Sequence, residues 1–402
     1  MQRVTETRVR EEQLVLTLIM LCKDDPVLFE PNSTATLNLV WALEEFSRVY
    51  NTIHPFLCTI LCPLGILANC VHILVLTRRR MRRSSINWIL IGIAVCDILT
   101  MTSYFVYILK FEIYTRLLNH KGISFLWATI LRIHASTSIA LHSITLYLCV
   151  TMAFIRWKAM RTTQSKLMKP KVIAVMYVIV CSTVLMLCIP TYMVHEVKPV
   201  LARTIDGFAQ FLNFYTVDIS HWAVRNHCRY FKANLWIIGI FLKAIPCLLL
   251  LWFTVALMIR LRANNAKRDM LLFHNQCSKA QRRKRKNYDR TTFTLIVMLT
   301  MFLLTELPQG VLTMLNGVYT NDVHTVFYMN LANVLDLLSL INCYVGFIAY
   351  CFLCSKYRQT FLMMIMTTME QKSSNIRYET VERSELKSLP LLSRINGNNY
   401  TT

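Results

Sequence analysis

Glu306 stands two residues before Pro308 inside a long apolar stretch, FTLIVMLTMFLLTELPQGVLTML over Phe293–Leu315. The stretch is long enough for the roughly 20 apolar residues that carry a helix across a bilayer core. A carboxylate at that depth is costly, so it faces a bundle interior or an aqueous cavity and marks a functional position by default. Pro308 frees a backbone carbonyl and bends the helix at the same place. Glu306 is then either a polar reader at a hinge or a protonated acid hydrogen-bonded to a neighbouring helix, with Gln309 beside it.

Other ionisable groups lie in apolar runs of their own: Arg132, His134, Ser138 and His142 in one, Lys243 in a second and Asp336 in a third. His142 follows Ser138 by four residues, which puts both on one helix face. Burying so many charges unpaired is prohibitive, so a shared depth implies a hydrated pocket for a polar ligand. The alternative is mutual neutralisation of Glu306 by Lys243 or His142. Glu306 and Asp336 could together clasp a guanidinium; if Lys243 or Arg132 already neutralises them, the pocket suits a small polar or acidic ligand instead.

A second set, Asn69, Asp97, Thr145 and Asn342, is expected to converge on one hydrogen-bonded cluster. That cluster is either interhelical glue, worth about 1 kcal/mol per contact, or a switch whose bonds differ between two packings. In Phe154-Ile155-Arg156-Trp157 a permanent positive charge sits where a helix leaves the membrane. It is a docking charge or an interfacial anchor. No catalytic constellation accompanies these groups: the histidines are scattered, no metal-ligand spacing repeats and no glycine-rich phosphate loop occurs.

The elements that must position these residues are membrane helices. The 402 residues are 55% hydrophobic and 16% charged with mean hydropathy +0.42, too apolar for a soluble globule. Runs at about Ile53–Thr77, Ile86–Leu109, Trp127–Phe154, Val172–Val194, Trp236–Ile259, Phe293–Leu315 and Val326–Phe352 predict an all-α membrane protein, a seven-helix bundle over residues 53–354. The formal charge of +22 points to nucleic acid in a soluble chain, but here it is concentrated in short loops, notably Arg78–Arg83, Lys158–Lys171 and Arg260–Lys286. That is the positive-inside pattern, also suited to anionic lipid head groups. It puts the N-terminus outside and the C-terminus inside. No internal repeat or inverted pair of broken helices suggests a transporter.

Residues 1–52 then form an outer tail with one glycosylation sequon at Asn32. The run Leu14–Leu21 is short and acid-flanked, which argues against a cleaved signal peptide. Residues 355–369 read as an amphipathic helix lying in the interface. Cys351 and Cys354 beside it are palmitoylation candidates or plain buried cysteines. The polar composition of 370–402 predicts a disordered cytoplasmic tail. Most of the 14 cysteines fall within apolar spans and read as small hydrophobes.

Across these spans Asn69, Asp97, Arg156, Pro246, Pro308 and Tyr350 resemble the rhodopsin-like G-protein-coupled receptors. More narrowly, Arg82-Arg83-Ser84-Ser85-Ile86-Asn87 leading to Asp97, Thr305-Glu306-Leu307-Pro308-Gln309-Gly310, and Leu335-Asp336-Leu337-Leu338-Ser339-Leu340-Ile341-Asn342 resemble the nematode serpentine receptor class W chemoreceptors. That group is similar to FMRFamide, myosuppressin and sex-peptide receptors. The resemblance implies a plasma-membrane receptor, not an enzyme, without cofactor or nucleic-acid partner. It binds an extracellular ligand, an FMRFamide-like neuropeptide or alternatively a small polar odorant, and activates a heterotrimeric G protein as the sixth helix swings about Pro308. The rival class is a seven-helix transporter or channel. The implied ligand residues are Arg132, Ser138, His142, Lys243, Glu306, Gln309 and Asp336; the switch residues are Asn69, Asp97, Thr145, Pro308, Asn342 and Tyr350; Arg156 and Trp157 meet the G protein. The chain departs from the pattern at Ile155, where an acid is usual, and at Gly346, where an Asn-Pro-x-x-Tyr motif would begin. Leu131 stands where the third helix usually carries a cysteine, so Cys228 is expected to lack its customary partner.

Overall fold

The computed structural model describes residues 22, 25–30, 33–82, 84–114, 123–161, 170–203, 209–274, 279–367 and 369–371. Asn32, the run Leu14–Leu21 and the tail beyond residue 371 lie outside them. Among the described residues seven helices are long and apolar enough to cross a membrane. They are α1 Thr34–Leu76, α2 Ser85–Tyr107 with a π-helical extension Ile108–Tyr114, α3 Phe125–Arg161 and α4 Pro170–Val194. The fifth, α5, joins His221–Trp236, the π segment Ile237–Ala244 and Ile245–His274; α6 is Lys279–Val318. The seventh, α7, runs from Thr320 to Leu353, and α8 occupies residues 355–367.

All the spans expected from the apolar runs are present, and α8 follows the last. On α8 Tyr357 is buried while Leu362, Met363 and Met366 are exposed, the split of an interfacial helix. The first helix starts at Thr34, well before the apolar run at Ile53. Close approaches come from small residues: a Cβ at Gly92 would overlap the Tyr177 phenol, which donates to the Trp88 carbonyl at 2.6 Å. That contact brings α4 against α2. The main core lies between α2, α3, α5 and α6, with Phe302, Leu146, Met152 and Leu299 fully enclosed.

The π segment of α5 has a sequence cause. Pro246 stands two residues past its last residue, and the proline ring would strike the carbonyl four residues back, that of Leu242, in an ordinary α-helix. Widening the turn over Ile237–Ala244 relieves that clash, and Lys243 lies inside the widened turn. Pro308, by contrast, sits within a helix that continues past it to Val318.

Between α4 and α5 the expected loop is a β hairpin, β1 His195–Arg203 against β2 Ala209–Ile219, antiparallel with an irregularity between Pro199 and Leu201. It docks on the start of α3 through the Ile123–Tyr215 bridge and the Phe125–Tyr215 rings, 5.4 Å apart. We call this end of the bundle the hairpin face.

Residues 22 and 25–30 of the N-terminal segment are docked on that face too. Cys22 is disulfide-bonded to Cys228, which corrects the expectation that Cys228 is partnerless. The partner comes from a residue 206 positions away rather than from α3. Asp25 accepts from Lys232 on α5 at 2.5 Å and from the Asn321 amide at 2.7 Å. Asp322 caps the Leu28 and Phe29 amides at 2.6 and 3.0 Å, and Phe29 packs on Phe327. The strap thus ties the start of α5 to the α6–α7 turn. At its anchor Asn226, His227 and Cys228 all have positive φ, 52°, 56° and 58°, a conformation costing L-residues roughly 1–2 kcal/mol each. Cross-linking offsets that strain.

Cys22→Ser is predicted to destabilise the purified receptor by about 2–5 kcal/mol, Cys228→Ser by the same amount, and the double variant no further. Thermal unfolding in lipid nanodiscs measures this; an unshifted transition in both single variants contradicts it.

Candidate functional site

Lys243 and Glu306 meet in the middle of the bundle. Lys243 Nζ donates to Glu306 Oε2 at 2.6 Å, and the two side chains are 10% and 2% exposed. A second donor bond from Nζ reaches Gln309 Oε1 at 3.1 Å. Glu306 Oε1 accepts from Asn342 Nδ2 at 3.0 Å, and His142 Nδ1 lies 4.0 Å away, in electrostatic but not hydrogen-bonding reach. Gln309 in turn donates to the Leu335 carbonyl at 2.9 Å and to Ser339 at 2.8 Å. One ion pair therefore binds α5, α6 and α7 where α6 carries its proline, and α3 faces it through His142. The geometry is that of the alternative in which Lys243 neutralises Glu306.

This has consequences for the other expected members. Asn342 belongs to the Glu306 network and not to the cluster with Asn69 and Asp97. Asn69 donates to the Gly65 and Cys343 carbonyls, both at 3.0 Å. Asp97 is hydrogen-bonded to the Cys343 thiol, while Thr145 meets Cys96. The set of four splits because Asn342 can bond an anion on α6, a stronger acceptor than a neutral carbonyl.

Arg132 is also elsewhere. Its guanidinium lies 4.0 Å over the Tyr192 ring and donates twice to the Tyr192 carbonyl, at 2.9 and 3.2 Å. Tyr192 is in the last turn of α4, where carbonyls carry partial negative charge, so the cation is satisfied there. Ser138 stands one turn before His142, half-buried. The shared grip of Glu306 and Asp336 on one guanidinium is likewise not present: Glu306 is committed to Lys243 and Asn342.

Asp336 instead ends a chain that was not foreseen. Tyr104 donates to Asp336 Oδ2 at 3.2 Å. Its hydroxyl also meets His54 Nε2 at 2.8 Å, and His54 Nδ1 meets the Tyr50 hydroxyl at 3.0 Å. One proton per group gives one consistent direction: Tyr50 donates to Nδ1, Nε2–H donates to Tyr104, and Tyr104 donates to the carboxylate. The available signal was His54 and Tyr104 in apolar runs, where a polar group seeks a partner.

On the opposite face Arg156 is buried at 7% exposure and lies within electrostatic reach of Tyr350. Trp157 packs with Phe154 and Phe253, linking α3 to α5. Below Tyr350, His72 Nδ1 meets the Tyr357 hydroxyl at 3.1 Å, tying α1 to α8. Its Nε2 has no hydrogen-bond partner among the described residues, and a Cβ at Gly346 would lie 3.9 Å from it. Of the two cysteines at this end, Cys354 is buried in this packing and Cys351 is half-buried.

With this geometry in place, the chain matches over residues 56–368 the profile of the family described as "Serpentine type 7TM GPCR chemoreceptor Srw". It is similar to the G-protein coupled receptor dmsr-1 of Caenorhabditis elegans, 30% identical over 355 residues that cover 79% of this chain and 69% of the relative. The Sex peptide receptor of Drosophila melanogaster is 24% identical over 387 residues, covering 89% of this chain and 82% of that protein.

Glu306→Gln leaves Lys243 buried without its counter-charge and is predicted to cost about 3–5 kcal/mol. The double variant Lys243→Met with Glu306→Leu, of similar volume and no charge, should recover most of that loss. Unfolding transitions in nanodiscs give the comparison; a single variant no less stable than the double one contradicts the pairing.

Proposed function

The chain belongs to the Srw family of serpentine seven-helix G-protein-coupled receptors, a receptor family and not an enzyme family, and from that premise we propose that it is a plasma-membrane receptor for an extracellular FMRFamide-like peptide. The reading of the ligand as a peptide draws on the sex-peptide relative. The orientation draws on charge: Arg78, Arg79, Arg80 and Arg82 cluster on the Arg156 face, which the positive-inside rule puts in the cytoplasm. The hairpin face and its strap are then extracellular.

The observation that carries the mechanism is the Lys243–Glu306 pair at 2.6 Å. It clamps α6 to α5 and α7 at the level of Pro308. Swinging the cytoplasmic half of α6 outward about that proline breaks or re-forms the clamp, so the two packings differ by discrete polar contacts. A ligand shifts such an equilibrium only by binding one packing better. Agonist contacts above the clamp favour the open packing, which uncovers Arg156 and Trp157 for a heterotrimeric G protein. Asn69, Asp97, Thr145 and Tyr350 lie between the clamp and that cleft and re-pair during the swing.

Receptor in nanodiscs with G protein should accelerate nucleotide exchange when given peptides ending in Arg-Phe-amide. Arg156→Ala should keep peptide binding within about twofold and lower exchange at least about tenfold, the size of a lost charge-assisted contact. Exchange driven by small polar odorants and not by peptides moves the assignment to the chemosensory alternative; ionic current without exchange overturns the receptor mechanism.

A further inference from the structure

We propose that Asp336 anchors a cationic group of the ligand, a guanidinium held by the carboxylate beside the Tyr104 ring, which packs on Tyr107 and His134. This rests on the reading of the chain as a peptide receptor.

Four other acids among the described residues are already engaged. Glu306 is paired with Lys243, Asp25 with Lys232 and Asp218 with Lys198, while Asp322 caps backbone amides. Asp336 is half-buried, and its partner among the described residues is the neutral hydroxyl of Tyr104 at 3.2 Å. The cations nearest in sequence on α2 and α3 are turned away: Lys110 lies over the Tyr114 and Trp127 rings at 3.8 and 4.9 Å, and Arg132 over Tyr192. A carboxylate so placed has accepting capacity to spare, and an uncompensated charge there is expensive.

The surroundings suit a planar cation. Tyr107 stacks on His134 with centroids 5.2 Å apart and 11° between planes, and Tyr104 lies 5.6 Å from Tyr107 and 6.1 Å from His134. Aromatic faces beside a carboxylate favour a guanidinium over an ammonium, since it stacks and donates in a fork at once. His134 Nδ1 is buried without a partner among the described residues and can accept one of the remaining donors. Tyr50, His54 and Tyr104 form the hydrogen-bonded chain that orients the phenol toward Asp336. Tyr104 and His54 are therefore positioning residues for the subsite.

The subsite is also connected to the clamp. Ser339 lies one helical turn after Asp336 and accepts from Gln309 at 2.8 Å; Gln309 accepts from Lys243 at 3.1 Å. A cation bound at Asp336 thus loads the turn of α7 that holds the clamp.

The test uses two dipeptide probes, Arg-Phe-amide and citrulline-Phe-amide, which are close in shape and differ in the charge. Binding to full-length receptor in nanodiscs should favour the arginine probe by about tenfold or more, the scale of a desolvated charge pair. Asp336→Asn should erase the preference while the unfolding temperature stays near wild type, and Tyr104→Phe should reduce it. Equal or absent binding of the two probes by wild type, or a preference that survives Asp336→Asn, overturns the subsite. Exchange driven by larger peptides without any charge preference leaves the receptor reading standing and the subsite refuted. A clear preference in a receptor that no peptide activates does the reverse.

Discussion

A lysine and a glutamate buried together at 2.6 Å in the centre of a membrane bundle set the terms for everything around them. Neither ion survives there alone, because the desolvation cost is several kcal/mol per charge. Each lone pair and proton left over must find a partner: Asn342 takes one carboxylate oxygen, Gln309 takes a second lysine proton, and Gln309 is itself held by Ser339 and the Leu335 carbonyl. The helices that supply these groups are thereby fixed in register. The π turn that carries Lys243 and the proline two residues after Glu306 both lie at this level.

Where the chain departs from the usual receptor pattern, other contacts occupy the gap. Gly346 leaves room beside His72 Nε2, which has no hydrogen-bond partner among the described residues, and His72 joins α1 to α8 through Tyr357. The outer covalent link runs from Cys22 to Cys228 in place of a bond to α3. It anchors a strap whose two aspartates bridge α5 and the α6–α7 turn. The clamp and the strap act on the same helices, α5, α6 and α7.

The helices were legible because membrane burial is written locally, whereas the pairing of Glu306 with Lys243 stood only as the alternative to a hydrated pocket. An apolar run of sufficient length has one solution, and a Glu or Lys inside it announces itself. What remained hidden depends on contacts between distant segments. Cys22 and Cys228 carry no spacing signal, and the pairing needs the fold. The hairpin alternates over strands whose partner is not evident from either alone. Arg132 has the right depth for the pocket but the wrong azimuth, and a shift of one residue around a helix turns a side chain by about 100°. Asn342 was assigned to Asp97 because both were sparse polar groups, yet the stronger acceptor lay on α6. The Tyr50–His54–Tyr104–Asp336 chain joins three helices through phenols and an imidazole, side chains that an apolar run also carries for packing alone.

The central claim is that the Lys243–Glu306 pair holds α6 in the packing described here. Spin labels on the ends of α3 and α6 at the Arg156 face, read by pulsed dipolar spectroscopy in nanodiscs without ligand, measure it directly. In Lys243→Met the distance distribution should gain a longer component relative to wild type, since Glu306 has lost its cation and the clamp on α5. A distribution that superimposes on wild type, in protein shown to be folded, would contradict the account.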